Sequence, residues 1–467
     1  MFADMISFLS NALYSYVLII ILVVGGLYFT IRTKCAQFRL FGEQIRVVGE
    51  KPKGEGRVSS FQALMVSTAS RVGTGNIIGV STAICLGGFG SVFWMWVIAL
   101  IGAASAFVES TLAQIYKRRA ADGSCYGGPA YYIETALRCR PLAIIFSILL
   151  ILTYGVGFNM LASYNLQSTF SVYGFYNADW TPWIIGAILA LLVGYCLFGG
   201  GKRVIKVTSL MVPLMGVAYI LVALVIVFIN IKELPAVFSR IFSEAFDLKA
   251  IFGGFGGSCV MYGIKRGLFS NEAGVGSAPN ASASAEVSHP VKQGLVQVLS
   301  VFLDTILVCS ATAFMCMCSG IEPSAKISGA PYVQQSLESS LGAFGPIFIT
   351  AAMVLFAFTT LIGNLYYVDK ALAHIAGKIP GKKVMYVYYV LASAVIFVGA
   401  GLSAGLLWDI ADVTMGLMAI INMPVIIFLG RYAFRALKDY IKQKKSGVEP
   451  VFHAKDIGLP HDVDCWD

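Results

Sequence analysis

The chain has 467 residues, of which 57% are hydrophobic and only 13% are charged, and its mean hydropathy is +0.77. Soluble domains carry about 25% charged residues. This composition therefore excludes an ordinary soluble domain and predicts a polytopic membrane protein. The net charge of +9 does not indicate a nucleic-acid partner, because the basic residues follow the membrane topology.

Hydropathy predicts eleven helical spans, since each span needs about 20 apolar residues. They cover residues 12–31, 60–85, 91–116, 142–169, 182–199, 207–230, 250–286, 291–318, 344–370, 384–402 and 407–430. The segment 250–286 is too long for one straight span, which indicates a break or an added loop.

Lys and Arg lie mainly in alternate loops, and this pattern gives the predicted orientation. They are concentrated in segments 32–57, 117–140, 200–206, 370–383 and 431–455, whereas the loops between hold Lys232, Arg240, Lys249 and Lys326. By the positive-inside rule, the N-terminus is predicted outside. The C-terminus, with a charged tail at 438–467, is predicted in the cytoplasm.

The spans are predicted to form one transporter domain at residues 1–437. After an extra N-terminal helix at 12–31, ten spans remain, five within 60–230 and five within 250–430. Because five is an odd number, the second set enters the membrane from the opposite side. This arrangement predicts a 5+5 inverted-topology repeat.

Each set begins with a hydrophobic segment that glycine interrupts, at residues 69–76 and 267–276. A broken helix exposes N–H and C=O groups that lipid cannot satisfy, so such breaks face protein or a wet cavity. A matched pair is typical of secondary transporters that bind a small solute. We interpret a competing glycine cluster at 253–257 as a packing or gating surface.

Motifs across residues 60–370 resemble the alanine/glycine:cation symporter family. They are RVGTGNI at 71–77, GGFGSVFWMW at 87–96, GGPAYYI at 127–133, RGLFSNEAG at 266–274, SAP at 277–279, HP at 289–290, FLDT at 302–305 and FAFTTLIGN at 356–364. The resemblance implies an all-α LeuT-type fold of ten core helices plus one. It also implies sodium- or proton-coupled uptake of a small neutral amino acid, such as alanine or glycine, across the plasma membrane.

We expect the first break to bind the carboxylate of this amino acid. Gly73 and Gly75 let a ligand approach the backbone closely. Free N–H groups at the start of a half-helix attract an anion. Thr74 and Asn76 would add side-chain hydrogen bonds.

The second break is expected to face this site from the other half of the chain. Phe269 would limit the size of the substrate side chain, while Ser270 and Asn271 would bind its polar groups. Asn159 keeps the family pattern and is a further predicted contact. At Ala162 the family commonly has glutamine, and a larger pocket would admit glutamine, serine or a D-amino acid instead.

The family resemblance also implies a sodium site. The adjacent hydroxyls of Thr359 and Thr360 and the carbonyl of Phe356, one turn earlier, would supply three oxygens. The carbonyls of Ala69 and Val72, beside the first break, would supply two more. Paired threonines in a membrane helix otherwise often bond to their own backbone.

Five ionisable residues in or near the spans are candidates for gates or charge pairs, because such groups are expensive inside a bilayer and usually functional. They are Arg71, Glu109, Arg266, Glu272 and Asp304. Arg266 and Glu272 are expected to pair with each other or with cytoplasmic groups.

Two other classes of function are disfavoured. An intramembrane enzyme needs a convergent catalytic cluster, but the four histidines lie at span ends or in the tail. A channel is disfavoured by the midplane breaks. We expect Na⁺ or H⁺ as the coupling ion and no organic cofactor. The expected surroundings are the lipid bilayer, with no nucleic acid and no obligate protein partner. The ten cysteines lack metal-ligand spacing and are interpreted as free thiols.

Overall fold

The computed structural model describes residues 2–51, 57–247, 258–459 and 463–466. These residues are helical almost throughout, which confirms the all-α prediction. One short hairpin is formed by β1 (Arg118–Arg119) and β2 (Cys125–Tyr126), which pair antiparallel with Arg119 opposite Cys125. The glycine cluster at 253–257 lies outside the described residues.

The helices follow the predicted order of spans, with short helices between some of them. Up to residue 247 they are α1 (Phe2–Ala12), α2 (Leu18–Arg32), α3 (Ala36–Arg39), α4 (Phe41–Val48), α5 (Ser60–Arg71), α6 (Val80–Gly87), α7 (Gly90–Ile115), α8 (Pro129–Leu137), α9 (Arg140–Leu150), α10 (Phe158–Ser168), α11 (Thr181–Leu197), α12 (Gly200–Ile229) and α13 (Leu234–Ala245). From residue 258 they are α14 (Cys259–Asn271), α15 (Pro279–Ser282), α16 (Pro290–Val301), α17 (Ser310–Met317), α18 (Ala330–Leu341), α19 (Phe344–Ala376), α20 (Lys382–Ala400) and α21 (Ala404–Lys445).

Wide π-helical turns join several of these helices, at Leu13–Val17, Gly75–Gly79, Ile151–Gly157 and Phe302–Cys309. Such turns leave the regular hydrogen-bond ladder and often occur at functional sites. Two of them carry residues that the sequence singled out, Asn76 and Asp304.

Eight helices of the described chain are long and apolar enough to cross a membrane. The other three predicted spans differ from a plain helix. Two, at 60–85 and 250–286, are interrupted, and the third corresponds to the 17-residue α11. The span count of eleven and the inverted repeat stay predictions.

The core of the bundle forms around α7, which packs against α14 and α16. Small residues allow the first of these contacts. A Cβ at Gly263 would lie 2.4 Å from the carbonyl oxygen of Ser91, and one at Gly267 would lie 2.6 Å from Ile98. Without a hydrophobic driving force between helices in lipid, such close backbone approach contributes much of the packing energy. It places α14, and the break after it, at the centre of the molecule.

Candidate functional site

The first interruption begins where α5 ends at Arg71. Asn76 closes the break by accepting a hydrogen bond from the Gly73 N–H through its side-chain oxygen, at 2.9 Å. A Cβ at Gly73 would lie 2.0 Å from the Thr360 hydroxyl, and one at Gly75 would lie 2.8 Å from the Phe269 ring. Glycine is therefore required at both positions. The Gly73 N–H, which we expected to be free for a carboxylate, is already satisfied.

The second interruption follows α14 and begins later in the sequence than expected. Glu272, Gly274 and Gly276 have left-handed backbones, with φ of 52°, 85° and 92°. This conformation is strained for glutamate, and the Ser277 hydroxyl donates to the Glu272 carboxylate at 2.5 Å. The chain becomes helical again at Pro279. The break thus lies after Phe269–Asn271, at residues 272–278.

A closed cavity lies between the two interruptions. The centre of a water-sized sphere can occupy only about 10 Å³ of this cavity. The cavity therefore holds about one water molecule. Its walls come from both breaks and from helices α10 and α19: Ser70, Arg71, Gly73, Thr74, Gly75, Phe158, Ala162, Phe269, Glu272 and Thr360. The structure therefore brings together four of the eight predicted substrate residues: Gly73, Thr74, Gly75 and Phe269.

Two charged side chains, Arg71 and Glu272, line this cavity. Arg71 is 2% exposed and donates one hydrogen bond, from Nη1 to the Gln297 side chain at 3.0 Å. Its Nε and Nη2 have no hydrogen-bond partner among the described residues. A buried donor left unpaired costs about 1–3 kcal/mol, more for a charged group, so these donors favour an anion in the cavity.

Asp304 joins the two interruptions and is completely buried. Its carboxylate accepts from Asn76 Nδ2 at 2.7 Å, from the Ser270 hydroxyl at 2.5 Å and from the Thr305 hydroxyl at 2.8 Å. Its hydrogen bonds within the described chain come from neutral groups, so the expected charge pair is replaced by a polar junction. Asn76 and Ser270 serve this junction and do not line the cavity.

Asn159 and Asn271 were predicted to contact substrate, but neither lines the cavity. The Asn159 side-chain oxygen accepts from Asn364 at 2.9 Å, and Asn364 accepts from Ser70 at 2.6 Å. Asn271 accepts from the Ala273 N–H at 3.0 Å and so shapes the start of the second break. Both residues position the walls of the cavity.

The predicted sodium ligands are partly assembled. The Thr360 hydroxyl lies 3.2 Å from the Ala69 carbonyl oxygen, which links α19 to the end of α5. Thr359 instead bonds to its own helix, at 2.9 Å from Leu355 O and 3.2 Å from Phe356 O, and lies 3.5 Å from the Met215 sulfur. Val72 lines an apolar groove on the other side of α5.

Arg266 and Glu272 do not pair with each other, contrary to one expectation. Arg266 pairs with Asp412 on α21 at 3.3 Å, and Lys265 pairs with the same buried carboxylate at 2.9 Å. Asp412 was not among the residues predicted from the sequence, although a carboxylate in an apolar span is itself a signal.

Glu109 supports the second break. It accepts from Asn422 at 2.9 Å and from the Gly274 N–H at 3.4 Å. Asn422 also donates to the Gly274 carbonyl at 2.9 Å. Within the described residues, Glu109 is therefore a hydrogen-bond partner of the interrupted backbone and forms no ion pair.

The sequence pattern of the sodium:alanine symporter family matches residues 1–454. The chain belongs to this family. Among its relatives, the amino-acid carrier protein AlsT of Bacillus subtilis is 44% identical over 100% of this chain and 98% of its own length. The probable sodium/glutamine symporter GlnT of B. subtilis is 43% identical over 98% of this chain and 94% of its own.

The symporter also resembles solved transporters. The crystal structure of MhsT in complex with L-phenylalanine aligns with a TM-score of 0.59 at 17% identity, over 83% of this chain and 93% of that one. This likeness confirms the LeuT-type fold. Family membership and fold together make the chain a multi-pass membrane transporter and not an enzyme.

The two faces of the symporter close the central cavity differently. On the face where α21 begins, a vestibule leaves about 430 Å³ by the same measure and reaches down to Trp408. The Trp408 and Phe269 rings lie 4.9 Å apart, and the Phe269 and Phe158 rings lie 4.6 Å apart. These three rings separate the vestibule from the cavity.

The face where α21 ends, which we call the tail face, is closed by charges and backbone. Val58 pairs with Ala285 as an isolated β-bridge, and the Glu286 N–H donates to the Val58 carbonyl at 2.9 Å. The Glu286 carboxylate pairs with Arg119 at 2.8 Å, Arg57 at 3.5 Å and Lys117 at 3.9 Å. Glu286 therefore ties the segment before α5 to the hairpin after α7.

Proposed function

We propose that the protein couples inward movement of Na⁺ to uptake of a small neutral amino acid, such as alanine or glycine, by alternating access. The observation that carries this proposal is the closed cavity between two interrupted helices, with a thin aromatic barrier on one side and a thick ionic one on the other. A relative from Bacillus sp. (strain PS3), 38% identical, is named a sodium/proton-dependent alanine carrier. H⁺ is accordingly the alternative coupling ion.

The amino acid is held between Arg71 and Glu272 in this proposal. The unpaired Nε and Nη2 of Arg71 receive the carboxylate, and Glu272 receives the ammonium group across the same cavity. Phe158 and Phe269 leave room for a small side chain only. The cavity widens by the volume of the substrate when the aromatic barrier opens.

The cation is held where α5 meets α19. The Ala69 carbonyl and the Thr360 hydroxyl already face each other, and the carbonyls of Val72 and Phe356 and the Thr359 hydroxyl complete the proposed set. For Thr359 this requires a rotation away from its own helix. Hard cations take oxygen ligands. Because α5 ends at Arg71, carbonyl groups at its C-terminal end lack helical hydrogen-bond partners and are free to bind a cation.

The protein is proposed to lie in the plasma membrane with its N-terminus outside and its tail face in the cytoplasm. The tail face carries Arg57, Lys117 and Arg119, as the positive-inside rule requires. The vestibule then opens to the outside. A 5+5 inverted repeat over 60–230 and 250–430, within one domain at 1–437, would relate the two interruptions.

Uptake of labelled alanine into proteoliposomes under imposed Na⁺, H⁺ or K⁺ gradients tests this function. A 100 mV potential supplies about 2.3 kcal/mol per charge, and a tenfold Na⁺ gradient adds about 1.4 kcal/mol. Together they support accumulation of a few hundred-fold with one Na⁺. Uptake that is independent of both Na⁺ and pH gradients contradicts the proposal. Ion current in the absence of any amino acid also contradicts it.

Glutamine is the second candidate substrate, and Ala162 favours it. Ala162 lines the cavity, whereas the alanine/glycine:cation symporter family commonly has glutamine at this position. The cavity wall therefore lacks a large polar side chain there. Competition by unlabelled alanine, glycine, glutamine, serine and D-alanine separates the candidates. Ala162→Gln should reduce inhibition by glutamine while inhibition by alanine persists; an unchanged ranking removes Ala162 from substrate selection.

A further inference from the structure

The chain beyond α21 returns over the closed tail face. The Phe452 N–H donates to the Ser288 carbonyl at 2.9 Å, and the Ser288 hydroxyl donates to the Pro450 carbonyl at 2.8 Å. Farther along, the Trp466 indole donates to the Gln114 carbonyl at 2.8 Å. We call the described tail residues 449–459 and 463–466 the tail clasp. It lies beside Glu286, the residue that ties this face shut.

Two thiols meet where the tail clasp contacts the hairpin. The Cys465 sulfur lies 3.9 Å from the Cys125 sulfur, although the two residues are 340 positions apart in the chain. Cys125 also lies 3.4 Å from the Glu286 carboxylate. Lys117 lies 4.8 Å from the centre of the Trp466 ring and pairs with Glu286. The thiol pair is thus part of the closure.

We propose that Cys125 and Cys465 are a redox modification site, whose disulfide fastens the tail clasp over the closed tail face and stops transport. A disulfide needs its sulfurs about 2.05 Å apart, so the end of the chain has to move by about 2 Å. This inference rests on the proposed function, because it assumes that the tail face must open during uptake.

The surroundings favour a thiolate at Cys465. Its hydrogen bond with Cys125 and the positive charges of Lys117 and Arg119 lower the pKa of Cys465, against burial and the Glu286 charge, which raise it. The same hydrogen bond and burial raise the pKa of Cys125. The thiolate is the reactive form of cysteine, so the first attack on an oxidant is assigned to Cys465.

Hydrogen peroxide is the oxidant of the proposed step. The Cys465 thiolate attacks one peroxide oxygen, the O–O bond breaks, and the hydroxide released takes a proton to become water. The resulting sulfenic acid is attacked by the Cys125 sulfur, which loses its proton as the S–S bond forms and a second water leaves. Two thiols and one peroxide give one disulfide and two waters. Since cytosolic disulfides are usually transient and redox-sensing, the lock would be temporary.

The test uses the full chain in proteoliposomes, treated with peroxide and then with a reductant. We expect loss of uptake, recovery of uptake on reduction, and a cross-linked peptide pair that contains Cys125 and Cys465. Cys125→Ser and Cys465→Ser should keep uptake after peroxide. Cys139→Ser, at a partly buried cysteine outside the thiol pair, should stay as sensitive as the unmodified chain.

The outcomes separate the two proposals. If the reduced protein transports but no Cys125–Cys465 peptide forms while other cysteines are oxidised, the redox site is refuted. If the disulfide forms and uptake is unchanged, the proposal that the disulfide stops transport is refuted. A reduced protein that does not transport any amino acid under Na⁺ or H⁺ gradients contradicts the proposed function instead.

Discussion

The two closures of the central cavity differ in thickness and in chemistry. Toward the vestibule, the rings of Trp408, Phe269 and Phe158 form a barrier in which neighbouring ring centres lie 4.9 and 4.6 Å apart. Toward the tail face, a β-bridge, three basic residues around Glu286 and the tail clasp all have to separate. The difference indicates a conformation poised to open toward the vestibule, since aromatic side chains rotate more easily than a backbone pairing breaks.

The strongest effect is predicted in the cavity between the two closures. Gly75→Leu should abolish uptake, because even a Cβ at Gly75 would lie 2.8 Å from the Phe269 ring and the side chain would fill the cavity. Uptake by purified protein in proteoliposomes checks this. Gly174→Leu is the matched control, since a Cβ there meets nothing within 4 Å. Normal uptake by Gly75→Leu would remove the first break from the substrate site.

The next largest effect tests the closure at the tail face. Glu286→Gln removes the charge that pairs with Arg57, Lys117 and Arg119. A lost hydrogen bond to a charged group costs about 1.5–3 kcal/mol, which shifts the population toward an open tail face by about 10- to 150-fold.

The measurement is the rate at which an impermeant thiol reagent, added at the tail face, labels Ala162→Cys in a chain whose native cysteines are replaced by serine. The rate should rise in Glu286→Gln. Glu338→Gln, an exposed carboxylate on α18, should leave it unchanged. Equal rates in all three proteins would mean that Glu286 does not hold this face closed.

A smaller effect tests the aromatic barrier toward the vestibule. Trp408→Ala removes the outermost ring of the barrier, and with it the Arg266 guanidinium's stacking partner at 4.1 Å. Labelling of Ala162→Cys from the vestibule side should become faster, while labelling from the tail face should not. The idea fails if Trp408→Ala changes labelling from both faces alike.

The smallest expected effect concerns the cation. Thr360→Ala removes the hydroxyl that faces the Ala69 carbonyl and should raise the Na⁺ concentration for half-maximal uptake about tenfold, for about 1.4 kcal/mol. Thr359→Ala should have the weaker effect, because this hydroxyl is engaged with its own helix. The reverse order would mean that Thr359, after rotation, is the stronger ligand.

The sequence predicted the first interruption well because its signal is local. Gly73 and Gly75 stand two apart in an apolar segment, and the structure gives both the close contacts that require glycine. The second break was harder to locate. Its left-handed residues begin at Glu272, and glutamate carries no local signal for that conformation, so the expected position fell on the helical turn before it.

The partners of the polar side chains could not be predicted in the same way. Asn76 and Ser270 look like substrate ligands in the sequence, but packing of the π-helical turn Phe302–Cys309 against both breaks brings Asp304 to them first. Asn159 is likewise taken by Asn364. Asn76 and Asn159 each lie more than 200 residues from these partners, so such pairings depend on how distant helices are packed.

In the proposed transport cycle, one cavity at the two breaks opens to one face at a time. The direct measurement is side-specific labelling of Ala162→Cys in oriented proteoliposomes, with and without Na⁺ and alanine. We expect labelling mainly from the vestibule side in Na⁺ alone, and added alanine should raise the share labelled from the tail face. Equal, simultaneous access from both faces under every condition would indicate a continuous pore and contradict alternating access.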